Sequence, residues 1–234
     1  MKITWLGHSG FRIEIGQAVL LIDPWLTGNP MFPTDHPARR RAEAIAGATH
    51  ILLTHGHGDH SGDAVAISRE LGVPVVGTYD LTSYLESHEK ISVIGYNKGG
   101  TVNLNGVGAT LVTASHSSSV DVDGKPLYAG TEAGFMLEGD GHVIYISGDT
   151  DIMADMEWMG DLHAPDIGIL SCGGHFTMDM KRAAYAAHRY FNFKTVIPCH
   201  YRTFPLLEQS AAELASGLPG VNVIEPQVLH PIVL

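Results

Sequence analysis

Alternating and continuous apolar runs, punctuated by glycine, set the pattern from the first residues. KITWLGHSGFRIEIGQAVLLIDPW reads as three short strands over 2–6, 11–15 and 18–23, the start of a meander. A Pro-rich polar stretch, NPMFPTDHPARRRAEA, predicts a surface loop leading into a helix over Ala38–Ala46. ATHILLTH then predicts a buried strand over 49–53. DHSGDAVAISRELG predicts a helix with apolar positions Ala64, Val65, Ile67 and Leu71 that stops at Gly72. VPVVGT, LTSYLESH and ISVIGY continue as strand, helix and strand, an α/β alternation.

Beyond about residue 100 the strands lengthen. VNLNGVGATLVTAS is followed by AGFMLEGDGHVIYISGD, in which EGDGH is a hairpin turn. Helix and strand then alternate again: a helix near 151–160, a strand over 166–171, a helix over 179–191, a strand over 195–200 and a last helix near 206–216. The pattern predicts one domain over 1–234 in two halves that meet near residue 105, since no low-complexity linker divides it.

The loop THGHGDH changes the picture from fold to chemistry. It places His55, His57, Asp59 and His60 between a strand and a helix, where open α/β sheets put their sites. In extended chain His55, His57 and Asp59 share a face, and Gly56 and Gly58 let the backbone bend so that His60 joins them. Imidazole and carboxylate in this mixture suit Zn²⁺, Mn²⁺ or Fe²⁺. Four groups are too few for two ions. Further candidate ligands, His116, Asp149 and His200, stand at the ends of the apolar strands ATLVTAS, VIYISGD and TVIPCH.

The HxHxDH pattern of His55, His57, Asp59 and His60, with His116, Asp149 and His200, resembles the metallo-β-lactamase superfamily over nearly the whole chain. WLGHSGFRI, HSSS, GGHFTM and IPCHYRTFP are similar to its cytoplasmic metal-dependent hydrolases related to L-ascorbate-6-phosphate lactonases. The resemblance implies a four-layer αββα sandwich with two divalent ions in the cleft, zinc first and manganese or iron as alternatives. It implies a first ion on His55, His57 and His116, a second on Asp59, His60 and His200, and Asp149 bridging both. Such a centre implies hydrolysis of an ester, lactone or phosphodiester of a small metabolite by a metal-bridging hydroxide, with Asp59 orienting it. His8 in GHSG and His175 in GGHF are candidates for the proton or electrophile at the leaving group. Two other readings stay open: an iron-dependent redox or sulfur-oxidising member of the fold, and a non-catalytic metal-binding protein.

Composition narrows the partners. The 14 Lys and Arg against 25 Asp and Glu give a net charge of -11, which disfavours nucleic acid. No apolar run approaches the roughly 18 residues that span a bilayer, so no membrane partner is expected. There is no signal-peptide pattern, and two cysteines, Cys172 and Cys199, make no disulfide framework; both observations point to the cytoplasm. A small-molecule substrate is the expected partner, and the resemblance to lactonases that assemble admits a homo-oligomer. Asp23, before Pro24, is expected to orient a ligating imidazole or cap a turn, and not to bind metal directly. Arg39, Arg40 and Arg41 read as a solvated helix face, and Cys199 as core.

Overall fold

The computed structural model describes residues 1–234. The opening meander forms β1 (Lys2–Gly7), β2 (Gly10–Ile15) and β3 (Ala18–Ile22), each antiparallel to the next. Parallel strands β4 (His50–Leu52), β5 (Val75–Thr78) and β6 (Val93–Tyr96) extend the sheet, and α1 (Pro37–Ile45), α2 (Gly58–Ser61), α3 (Ala64–Leu71) and α4 (Tyr79–Glu89) fill the connections. The polar positions of β2 explain how strand and helix lock together: Arg12 points away from the sheet core and donates to the carbonyls of Ala44 and Ala46, which α1 leaves open at its C-terminus.

The second sheet holds β7 (Thr101–Leu104), β8 (Val107–Thr113), β11 (Ala133–Gly139), β12 (His142–Ile146), β13 (Ile167–Ser171), β14 (Thr195–Cys199) and β15 (Asn222–Val223). A separate hairpin, β9 (Val120–Val122) with β10 (Lys125–Leu127), lies between β8 and β11. Helices α5 (Met156–His163), α6 (Met180–Tyr190) and α7 (Ala212–Gly217) belong to this half. The last strand, β16 (Pro231–Val233), returns to the first sheet and pairs antiparallel with β1. The two sheets face each other through Ile3, Phe11 and Leu20 from one and Phe135, Ile144 and Ile169 from the other, part of a cluster of 43 buried residues that continues under the helices of the second half. Helices α1, α3 and α4 cover the outer face of the first sheet through Ile45, Ile67 and Leu85, and Met159, Ala183 and Leu214 cover the second. The result is the four-layer αββα arrangement.

Several boundaries differ from the sequence expectation, each for a local reason. The chain changes sheets over 97–100, a few residues before 105. Asn105 and Gly106, at φ 52° and 94°, form the tight turn of the β7–β8 hairpin instead of a junction. Asp140 and Gly141, at φ 50° and 77°, make the expected turn between β11 and β12. The helix expected over 206–216 occupies only Ala212–Gly217, because the stretch from Pro205 to Ser210 turns around the backbone of Gly173 and Arg202. The helix placed near 151–160 runs over Met156–His163. The short strands β9, β10, β15 and β16 carry too few apolar positions for a period to register.

Candidate metal centre

The histidine loop is not extended throughout. His57 is the last extended residue, and Gly58 begins α2, so Asp59 and His60 are presented by a helical turn and not by a strand face. The expectation that His55, His57 and Asp59 align by the period of two is corrected accordingly. Gly56 is required by close approach: a Cβ there would sit 2.8 Å from the carbonyl oxygen of Ser119. The segment expected as one helix divides at Gly62 and Asp63, whose carboxylate accepts from the amides of Leu26 and Thr27 and the hydroxyl of Thr27.

Antiparallel pairing on both sides of β11 gives β8 the same direction as β12, and β12, β13 and β14 are parallel. The C-terminal ends of β8, β12, β13 and β14 therefore open on one edge. Past them lie His116, Asp149 and His200, opposite the loop that follows β4.

Asp149 is at the centre. Its Oδ2 is 3.1 Å from His200 Nε2, 3.3 Å from His60 Nε2 and 3.6 Å from His116 Nε2. Its Oδ1 accepts from Ser171 Oγ at 3.1 Å. His55, His57 and His116 bring one ligand atom each within 4.8 Å of one another, as do His55, His60 and Asp149. A third such group is His8, Asp59, His60 and His200, in which Asp59 Oδ2 lies 3.8 Å from His200 Nε2 and 3.9 Å from His60 Nε2.

The side chains behind the ligands are ordered by hydrogen bonds. Asp23 Oδ2 faces His60 Nδ1 at 2.8 Å, and the same carboxylate accepts from the amide and hydroxyl of Thr54. Thr54 Oγ1 in turn lies 3.0 Å from His55 Nδ1. Glu132 accepts from the amide of His116. With Nδ1 directed at Asp23, His60 turns Nε2 inward, and that atom is fully buried and makes no hydrogen bond. An unpartnered imidazole nitrogen beside a buried carboxylate and further imidazoles is a donor set for divalent metal, and the residues present fit one.

Electrostatics agree with a site built for positive charge. Burial alone would raise the Asp149 carboxyl, but the imidazoles of His60 and His200 hold it well below the usual range. Asp59 is likewise held low, its burial outweighed by hydrogen bonds with His200 and His8. For His200 burial is overridden by Asp149, and the ring is raised to about 9. His55 is lowered well below the ordinary imidazole value by burial, and His8 is lowered to about 4 by the same cause. Neutral His55 is in the form that coordinates metal.

A cavity of about 320 Å³ opens onto the cluster, lined by His57, Asp59, His116, Ser117, Asp149, Phe176 and His200. His175 is exposed at φ 55° and lines a neighbouring cleft with Thr177, Arg182 and Glu208, while Phe176 is the side chain of its loop that reaches the cavity. Gly173 admits the backbone of His200, whose carbonyl a Cβ would strike. His8 is fully buried and touches Asp59, not the cavity. Arg39, Arg40 and Arg41 are each paired with a carboxylate, of Glu43, Asp35 and Glu70. Cys172 and Cys199 are buried free thiols. Thr54, Ser171 and Thr203 escaped the sequence reading, and only Thr54, adjacent to the motif, offered a signal.

This architecture and donor set are those of the metallo-β-lactamase fold. The chain belongs to the β-lactamase superfamily, whose domain matches residues 19–201. It is 71% identical over 232 residues, 99% of both chains, to a UPF0173 metal-dependent hydrolase of Cereibacter sphaeroides, and 68% identical over the full length of both to one of Paracoccus denitrificans. Among solved structures it is similar to Igni18, a metallo hydrolase of Ignicoccus hospitalis, with 32% identity and a TM-score of 0.81 over 100% of this chain and 98% of that one.

Proposed function

We propose that the chain is a dinuclear metal-dependent hydrolase that cleaves an ester, lactone or phosphodiester bond of a small molecule in the cytoplasm. The observation that carries the reading is Asp149, buried with one oxygen 3.1 to 3.6 Å from three imidazole nitrogens and so disposed to serve two ions at once. His55, His57 and His116 would hold one ion and Asp59, His60 and His200 the other. When bound, the ions, zinc or manganese by donor type, would supply Lewis acidity, making hydroxide available near neutral pH and polarising the substrate oxygen.

The protein's own groups do the rest. Asp59, partly exposed in the cavity, would orient the nucleophile. Ser117 and Phe176 would border the substrate, the phenyl ring excluding water from one side. His175 could reach a leaving group only by turning from its cleft into the cavity.

The test is elemental analysis of the purified protein, stripped and reloaded separately with Zn²⁺ and Mn²⁺, with turnover measured on bis(p-nitrophenyl) phosphate and a lactone panel. Two ions per chain and metal-dependent turnover that disappears in His116→Ala are expected. Less than one ion under every condition would overturn the reading, and bound iron with visible absorption and oxygen uptake would replace hydrolysis with redox chemistry.

A further inference from the structure

The β1–β2 turn spends backbone strain on a histidine. His8 sits at φ 53°, in the left-handed region that L side chains rarely adopt, yet its ring is fully buried. The backbone around it is tied down: its carbonyl accepts from Trp5 Nε1 at 2.8 Å and from the amide of His200 at 3.0 Å. The ring lies 4.0 Å from that of His200. Both ring nitrogens are engaged, Nε2 with Asp59 Oδ2 at 3.0 Å and Nδ1 with Thr203 Oγ1 at 2.8 Å.

The partners fix the proton positions. A carboxylate facing Nε2 requires the proton there. Nδ1 is then free to accept from the Thr203 hydroxyl, whose other neighbours within reach, Tyr201 O at 3.3 Å and Met31 Sδ at 3.2 Å, are more distant. His8 is screened from the cavity, since the residues that line it do not include His8. Nor does its Nε2 lie within 3.6 Å of Asp149 as the imidazoles of His60, His116 and His200 do; Asp59 is the carboxylate it meets.

We infer that His8, held by Thr203, is a positioning residue: its Nε2–H fixes the Asp59 carboxylate in the orientation that completes the second ion's ligand set. The inference rests on the dinuclear reading above. It assigns His8 a role through Asp59 in place of contact with a leaving group, and it brings Thr203, 144 positions beyond Asp59 in the chain, into the centre. Partners behind metal ligands of this kind typically change affinity about 10- to 100-fold when removed.

Stepwise Zn²⁺ titration by calorimetry of the wild type, His8→Ala, His8→Gln, Thr203→Val and Thr203→Ser tests it, with imidazole ¹⁵N spectra of the zinc-loaded protein. The wild type should bind two ions and show His8 with its proton on Nε2. Thr203→Val and His8→Ala should keep the first ion and bind the second about 10- to 100-fold more weakly. His8→Gln, whose amide can still donate, and Thr203→Ser should restore the second to within about threefold of wild type. Should His8→Ala fail to fold, Thr203→Val carries the test through the same readouts. Unchanged second-ion affinity in Thr203→Val, or a second ion abolished in His8→Ala and His8→Gln alike with Thr203→Val unaffected, would overturn the inference, the latter making His8 a ligand. A wild type that binds fewer than two ions would remove the dinuclear reading and the inference together.

Discussion

At the scale of single residues, the centre depends on groups that set the direction of each ligand as much as on the ligands. Asp23, itself at φ 43°, accepts from three donors on Thr54 and His60, so its replacement unpairs buried groups that cost about 1–3 kcal/mol each. Asp23→Ala should weaken metal binding by about 10- to 100-fold and lower stability, whereas His55, whose contact with Asp23 runs through Thr54, should lose less. Comparing metal content after dialysis against graded chelator would show it, and undiminished retention would refute the role given to Asp23. His175→Ala should leave metal content unchanged. Because the ring lines the neighbouring cleft, turnover is expected to change by no more than about threefold; a drop of about 100-fold would show that the ring enters the cavity as a proton donor.

At the scale of elements, the ligand loop is held by backbone packing that leaves no room for a side chain. Gly56→Ala would press a methyl against the Ser119 carbonyl, shifting the loop that carries His55 and His57 against the one that follows His116. The variant should fold with lowered stability and bind the first ion more weakly than the second, which stepwise calorimetric titration separates. The returning strand β16 covers the edge of β1 through the register Lys2 with Val233, Ile3 with Ile232 and Thr4 with Pro231. Ending the chain at His230 would expose that edge, and an unpaired edge invites association with other chains. A lower urea midpoint and concentration-dependent light scattering are expected. An unchanged midpoint with no scattering would mean that the meander does not need its outer strand.

For the whole molecule, charge and metal couple to stability. In the metal-free protein His200 is raised to about 9, because Asp149 overrides burial, so its contribution is fully present below about 6.5 and is lost as pH rises to about 9. His8 runs the other way: burial lowers it to about 4, and as pH falls from about 6.5 the unfolded chain takes up a proton that the folded ring refuses. Stability of the stripped protein should therefore peak near pH 6.5, with urea midpoints lower at pH 5 and at pH 8.5. A midpoint that climbs from 6.5 to 8.5 would contradict the assignment of His200. Restoring metal at about 100 times its dissociation constant adds about 2.7 kcal/mol, which for a chain of this size should raise Tm by about 5–10 °C in calorimetry.

Short-range information carried most of the elements. The meander, the Asp140–Gly141 turn, the strands before His55, Asp149 and His200, and the stop of α3 at Gly72, whose φ is 68° and whose amide bonds to Ser68, are written in side-chain period and turn chemistry. The candidate donors that cluster were legible as well, since imidazoles and carboxylates so spaced at strand ends have few structural uses. What the sequence could not hold is convergence. That the imidazole Asp23 orients is His60, 37 positions later, and that Ser171, 22 positions beyond Asp149, sets that carboxylate, are settled only by packing. His8 reaches Thr203 across 195 positions, and β16 closes the sheet that β1 began. Local patterns determined which segments became strands and helices because their energies are settled between neighbours. Which side chains meet, and which histidine joins the central cluster, supports it or stays at the surface, was decided only when two sheets packed face to face and brought distant strand ends to one edge.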